Sequence, residues 1–443
     1  MFLAILDESC PFFIKLPFKT SNMNKRQFLK TIGLSALSTP VFSKSFHNTI
    51  TEKENVSAEE LAQDETFWKK IRADYKLNPA FINLENGYYC ISPTPIKKAF
   101  IKNIDEVNLL GSYYMRKMRF PDNEKVRAKL AEAAGCTYEE IIVTRNTTES
   151  IDTVISGYDW KPGDEAIMAE QDYPYMIQHF ELMAQRYGMT NKILSVPMHP
   201  KSDDEIVKMY ESAITTKTRL LMVSHIINIT GQILPVRKIC DMAHSHGVDV
   251  VVDGAHAFGQ FEYKISDLNC DYYATSLHKW LSAPLGAGFL YIKKDKIKNL
   301  WAMFADNGYP QDDIRRVVHT GTPAVHTEIS IMNALDYLNF IGIKRKEARL
   351  KYIRNYWMER LKDVPNVMIN TPNDDARACG IGNVGLKNMK PTEMAEKLLA
   401  NHKIWTVGIE GQSVFGCRIT PNIYTSTAEL DAFVAAVKVL AKS

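Results

Sequence analysis

The sequence predicts an α/β protein. A large domain with a doubly wound, mostly parallel sheet is followed by a smaller C-terminal α+β domain. Two observations carry this reading. From about residue 140 short apolar runs alternate with helical stretches, and two of the runs, Arg219–Val223 and Val248–Val252, are continuous. Continuous apolar runs are the pattern of strands buried on both faces of a parallel sheet. After about Thr327 the texture changes to a long helical stretch, Glu328–Leu361, and then to short strands. That element order suits a doubly wound domain with a second, smaller domain appended.

The elements follow in chain order. Glu140–Thr144 is a short strand ending in the polar turn Arg145-Asn146-Thr147-Thr148-Glu149, and Ser150–Ile155 continues as a helix. Pro162-Gly163-Asp164-Glu165 turns the chain into the strand Ala166–Ala169. Pro235–Ser245 is the crossover helix between the two continuous strands, and Tyr272–Thr275 and Gly288–Ile292 are further strands. Beyond the long helical stretch, strands are expected near Val367 and over Gly382–Leu386, Ile404–Val407 and Cys417–Ile419. The last helix opens with a capping box, Ser426-Thr427-Ala428-Glu429, and carries Leu430, Phe433, Val434 and Val437 as a core-facing stripe. The chain therefore divides into an extension (1–51), an N-terminal segment (52–99), a large domain (100–327) and a small domain (328–443), with no internal repeats and no long linker.

Composition narrows the function classes. The 443 residues include 54 Lys+Arg against 51 Asp+Glu, and 45% are apolar, the profile of a globular protein. Residues 1–51 hold six bases (Lys15, Lys19, Lys25, Arg26, Lys30, Lys44) and two acids (Asp7, Glu8). The remainder keeps 48 bases and 49 acids, a net charge of −1, which leaves no electrostatic footprint for nucleic acid. Seven cysteines (10, 90, 136, 240, 270, 379, 417) are scattered without a C-x-x-C pair, which argues against a disulfide framework and a structural metal site.

The first fifty residues read as an address. Asn24-Lys25-Arg26-Gln27-Phe28-Leu29-Lys30 is followed by a short apolar stretch, Thr31–Phe42, and no acid occurs from Ser9 to Thr51. The apolar stretch is too short to span a bilayer as a helix, so no membrane partner is expected. A basic start, a weak apolar core and small residues at Ser43 and Ser45 fit an export signal. The run resembles a bacterial twin-arginine signal in which Lys25 replaces the first arginine. It implies export to the periplasm; the alternative is a cytoplasmic protein with a basic N-terminus. Met23 directly precedes the motif, so residues 1–22 read as an upstream extension of the gene start.

Chemistry is expected beyond the carboxyl ends of the strands, where open α/β sheets bind ligands. Val250-Val251-Val252 delivers Asp253-Gly254-Ala255-His256, and a carboxylate there is costly unless a cation meets it. Lys279 stands twenty-six residues beyond Asp253, in Ser276-Leu277-His278-Lys279-Trp280, after the strand Tyr272–Thr275. A buried lysine has a lowered pKa and serves as an amine nucleophile or proton carrier. A carboxylate and a lysine so placed suggest a cofactor with a cationic ring and a carbonyl, which describes pyridoxal phosphate. Lys279 would form the Schiff base and Asp253 would hold the ring nitrogen protonated. A phosphate cradle is offered by Thr147-Thr148, where a helix opens directly after a strand, with Ser276 and His278 to complete it. A plain helix cap is the alternative for Thr147-Thr148, as it is for Asp253.

With those residues in place the chain resembles the class V aminotransferase family of fold-type I pyridoxal phosphate enzymes, most of all its isopenicillin N epimerase-like branch. Matching stretches run from Ile82-Asn83-Leu84-Glu85-Asn86-Gly87 to Tyr424, so residues 80–443 are covered. The resemblance assigns Thr147-Thr148-Glu149-Ser150 to the phosphate turn and Tyr173, in Gln171-Asp172-Tyr173-Pro174, to the ring-stacking aromatic. Asn228 of Asn228-Ile229-Thr230-Gly231 would face the cofactor's phenolic oxygen, with His256 near it. Arg418 of Arg418-Ile419-Thr420-Pro421 would pair with the substrate carboxylate, with Asn86 also at the substrate. Thr322, in His319-Thr320-Gly321-Thr322, would reach the phosphate of a neighbouring subunit, which implies a homodimer.

The resemblance implies an enzyme acting at Cα of an amino acid, as an epimerase or aminotransferase. A C–S lyase of the same family is an alternative, as is a binding protein that keeps the fold without catalysis. Cysteine desulfurases of the family carry a nucleophilic Cys about fifteen residues before the carboxylate-binding Arg. The window Asn401–Gly416 has none, and Cys417, alternating with Arg418 along one strand, would face the other way. A dinucleotide oxidoreductase fails because no G-x-G-x-x-G follows a strand; Gly286-Ala287-Gly288 precedes one instead.

Overall fold

The computed structural model describes residues 50–442, apart from 52, 54, 306 and 307. The export-signal reading falls on residues outside the described ones. The first strand, β1 (Ile82–Asn83), pairs in parallel with β11 (Ile404–Trp405) and ties the N-terminal segment to the C-terminal part of the chain.

The main sheet holds β2 (Ile141–Thr144), β3 (Glu165–Ala169), β4 (Thr190–Leu194), β5 (Thr218–Ser224), β6 (Asp249–Asp253), β7 (Tyr272–Ser276) and β8 (Gly288–Ile292). Their order is β2-β8-β7-β6-β5-β3-β4. The pairs from β7 through β4 are parallel, while β8 runs against both β7 and β2. The sheet is thus mostly parallel with one reversed strand. Its central strands are apolar on both faces because both faces are covered: Leu220–Val223 and Val250–Val252 are fully buried. On one side Ile151 and Val154 of the helix Thr147–Gly157, with Phe180 and Met183 of the helix Pro174–Tyr187, join Met168, Leu220, Met222 and Val251 in one cluster. Each such side chain contributes about 1.5–3 kcal/mol on burial.

The second sheet holds β9 (Val367–Ile369), β10 (Gly382–Leu386), β12 (Val407–Gly411) and β13 (Val414–Ile419), antiparallel in the order β12-β13-β10-β9. The closing helix Thr427–Leu440 has both arms of its capping box, and Leu430, Phe433, Val434 and Val437 are buried. Among the described residues no helix is long and apolar enough to cross a membrane.

Three elements differ from expectation. The stretch Glu328–Leu361 is two helices, Val325–Ile341 and Ile343–Leu361, because Gly342 takes φ +89° and ends the first. Ile404–Val407 is likewise split: β11 pairs with β1 and β12 with β13, and between them the Thr406 hydroxyl donates to the Arg418 carbonyl at 2.6 Å. Thr190–Leu194 is an edge strand that its polar, half-exposed sequence did not announce.

Candidate active site

Parallel strands put their carboxyl ends on one edge of the sheet, and a cavity of about 330 Å³ opens there. It is the size of a small-ligand site. Thr147, Thr148, Tyr173, Asn228, Asp253, His256, Ser276, His278, Lys279 and Arg418 all line it. They come from the ends of β2, β3, β5, β6 and β7 and, for Arg418, from β13 of the second sheet.

The candidate anion cradle lies at the start of the helix Thr147–Gly157. Its cap is Asn146, whose side chain accepts from the Glu149 N–H at 2.8 Å, so Thr147 and Thr148 are first-turn residues and not the cap. The Thr147 N–H donates to Ser276 Oγ at 2.9 Å, and the two hydroxyls share a hydrogen bond of 2.7 Å. This ties the helix start to the end of β7. His278 on the same wall has a buried Nδ1 with no hydrogen-bond partner, a bond that a ligand oxygen would supply. Burial and the neighbouring Lys279 charge push His278 down to about 4, so it is neutral.

Asp253 ends β6. Its Oδ1 accepts from the Ala255 N–H at 2.9 Å, and burial raises its pKa against the opposing pull of that N–H and of Lys279. Glycine is required next, since a Cβ on Gly254 would stand 2.0 Å from Tyr273 Oη. Behind Asp253, the buried Asp172 accepts from the Ser224 hydroxyl at 2.7 Å and from the Ala169 N–H at 2.8 Å. Burial pushes it up to about 7.

Lys279 follows β7 and is buried. Desolvation lowers it to about 8, Asp253 opposing and Arg418 assisting. Its Nζ lies 3.0 Å from His256 Nε2, while His256 Nδ1 accepts from the Trp280 indole N–H at 3.2 Å. Burial, then the Lys279 and Arg418 charges, hold His256 well below its usual range, so the imidazole is neutral.

Asn228 sits on a turn whose Gly231 has φ +78° and no room for a Cβ, which would meet the Ile381 carbonyl at 2.2 Å. Tyr173 precedes the helix Pro174–Tyr187 and is 37% exposed at the cavity wall. Arg418 lies over Gly87, where a Cβ would stand 2.9 Å from its Cζ.

Two assigned residues are not brought to this cavity. Asn86 is fully buried: its Nδ2 donates to the Thr420 carbonyl at 2.8 Å and its Oδ1 accepts from Tyr424 Oη at 2.5 Å. Its polar atoms are spent on holding the N-terminal segment against the chain beyond β13. Thr322 is exposed, away from the cavity of its own chain. Sequence reasoning assigned nothing to Trp280 or Glu85, which bond to His256 and Arg418. Trp280 adjoins Lys279 in the sequence, and that was its only signal.

A phosphorylated pyridine aldehyde fits these residues: an amine for the carbonyl, a carboxylate for the ring nitrogen, and a helix start with hydroxyls for the phosphate. A mostly parallel sheet with this cavity and a second antiparallel sheet supplying the arginine is the architecture of fold-type I pyridoxal phosphate enzymes. Residues 109–433 match the Aminotransferase class-V family, and the chain belongs to that family. It is 30% identical over 320 residues to isopenicillin N epimerase of Amycolatopsis lactamdurans, covering 67% of this chain and 79% of that one. It is 26% identical over 398 residues to isopenicillin N epimerase of Streptomyces clavuligerus, covering 84% and 98%. In fold it is similar to the apo cysteine desulfurase from Thermococcus onnurineus NA1, with a TM-score of 0.74 at 22% identity over 84% of this chain and 97% of that one.

Proposed function

We propose that the protein acts at the α-carbon of an amino acid, as an epimerase or aminotransferase, with Lys279 carrying the cofactor covalently. The observation that carries this is the buried Lys279 amine, 3.0 Å from a neutral imidazole and flanked by Asp253. When bound, pyridoxal phosphate supplies an electron sink for the pair left at Cα. Asp253 would hold the ring nitrogen, and Thr147, Thr148, Ser276 and His278 would hold the phosphate. Tyr173 would cover the ring, and Asn228 and His256 would lie near the phenolic oxygen. As a free amine, Lys279 Nζ would take the Cα proton. Arg418 orients the carboxylate.

Persulfide chemistry is disfavoured at Cys417. Cys417 is buried, its thiol donates to the Pro391 carbonyl at 3.4 Å, and burial pushes its pKa up to about 12. The site is completed in a homodimer through Thr322 of each chain. The extension, residues 1–51, would direct the chain to the periplasm.

The experiment is Cα–H exchange. Amino acids incubated with holoenzyme in D₂O should gain Cα deuterium, and borohydride should fix the pyridoxyl label on Lys279. Label on another lysine, or no exchange with any amino acid, overturns the reading. Appearance of the other enantiomer or of an oxo acid then separates epimerisation from transamination.

A further inference from the structure

Arg418 is already engaged by a carboxylate of its own chain. Its Nε donates to Glu85 Oε2 at 3.1 Å and its Nη2 to Glu85 Oε1 at 2.5 Å, while Nη1 donates to the Asn228 carbonyl at 3.3 Å. The two side chains are 9% and 7% exposed. Glu85 is itself anchored: Oε1 accepts from the Tyr88 N–H, and the Glu85 N–H donates to Asn83 Oδ1, both at 3.0 Å. Gly87 lies beneath the guanidinium, where a Cβ would stand 2.9 Å from its Cζ.

A guanidinium has five N–H donors in a fixed fork. Three are committed here, and the side fork that would grip a substrate carboxylate through two parallel bonds is filled by Glu85. One hydrogen on Nη1 and one on Nη2 remain, on the same guanidinium that Glu85 already neutralises. A second carboxylate must take the fork from Glu85 or bind beside a like charge.

We propose that Glu85 is the specificity-determining residue of the carboxylate subsite, resting on the reading that Arg418 faces the substrate. With Glu85 on the fork, the Glu85–Arg418 pair is neutral. The subsite then favours amino compounds carrying an uncharged group at that position, such as an amide, over free α-carboxylates. A free carboxylate is admitted only by displacing Glu85.

Calorimetric titration of the holoenzyme with propionate and propionamide tests this, since neither carries an amine and both report the subsite alone. In the wild type, propionate should bind no more tightly than propionamide. Glu85→Gln should tighten propionate by at least about tenfold, the scale of removing a like charge from a desolvated pair, and leave propionamide within about twofold. Glu85→Asp, which keeps the charge on a shorter arm, should fall between. Wild-type preference for propionate by about 100-fold would overturn the proposal whatever the variants do. So would unchanged propionate binding in Glu85→Gln when Arg418→Gln weakens it, an outcome that leaves the Arg418 reading standing. Propionate binding insensitive to Arg418→Gln would instead remove that reading, and the proposal with it.

Discussion

The indole N–H of Trp280 donates to Nδ1 of His256, and that bond decides where the imidazole carries its proton. Indole nitrogen only donates, so Nδ1 must accept. The ring is neutral, and its proton therefore stands on Nε2, 3.0 Å from Lys279 Nζ. An N–H facing the amine asks the amine to accept, which an ammonium cannot do. Trp280 thus favours the nucleophilic form of Lys279 through His256.

Capture of pyridoxal phosphate by the apoprotein should follow this. Only the free amine has a lone pair, so the rate should rise with pH through a midpoint of about 8, the lowered value of Lys279. Trp280→Phe keeps the bulk and releases the imidazole proton to either nitrogen. Nε2 then accepts from an ammonium, and the midpoint should move up. Stopped-flow absorbance across pH reads it; the same midpoint in both proteins would show that the tautomer has no influence.

Ser276→Ala removes the partner of two Thr147 groups, the N–H and the hydroxyl. Leaving buried polar groups unpaired costs about 1–3 kcal/mol. Chemical denaturation should show a loss of that size, and equilibrium dialysis should show weaker cofactor retention. Retention equal to the wild type would mean the cradle does not depend on the link between β7 and the helix start.

Asp253→Asn should keep the fold, because an amide oxygen can still accept from the Ala255 N–H. Turnover should fall on the order of 100-fold, the scale of losing one electrostatic stabiliser. Circular dichroism checks the fold and steady-state kinetics the turnover. A variant as fast as the wild type would reduce Asp253 to a turn-forming residue.

How much of this was legible in the sequence depended on distance along the chain. Asp253 and Lys279 each follow an apolar strand in a local motif, so their place at the sheet edge could be read from the pattern alone. Thr147 and Thr148 were placed at the right helix start, although the cap proved to be Asn146. Glu85 and Arg418 were not paired, since 333 residues separate them and no periodicity joins them. The role of Asn86 was hidden in the same way, its partners Thr420 and Tyr424 lying at the far end of the chain. The break at Gly342 was missed because helical residues flank it on both sides and only its backbone angle ends the helix.

The turn between β12 and β13 links the two sheets. Gln412 Nε2 donates to the carbonyls of Glu170 and Asp172 at 2.7 and 2.9 Å, and Ser413 Oγ donates to Glu170 Oε1 at 2.6 Å. Gln412 and Ser413 hold φ values of +55° and +59°, which the docking must sustain. The segment they grip leads directly into Tyr173. Gln412→Ala should lower stability by about 1–3 kcal/mol and loosen Tyr173 over the cavity, so cofactor affinity should fall as well. Unchanged denaturation and unchanged affinity together would show a contact without consequence.

Assembly supplies the last prediction. Thr322 is exposed on a turn that Gly321 closes at φ +83°, outside the cavity of its own chain. In the proposed dimer it meets the phosphate cradle of Thr148, Ser276 and His278 in its neighbour. A phosphate carries nearly two negative charges and gains from each further donor when it is desolvated. Cofactor should then favour the dimer by linkage, binding the completed site more tightly than the separated chain. Thr322→Arg places a long cation where a short hydroxyl is required, so it should weaken the dimer, the cofactor affinity, or both. Sedimentation velocity with and without pyridoxal phosphate, read beside a cofactor titration, is the measurement. A dimer of unaltered affinity in that variant would remove Thr322 from the site.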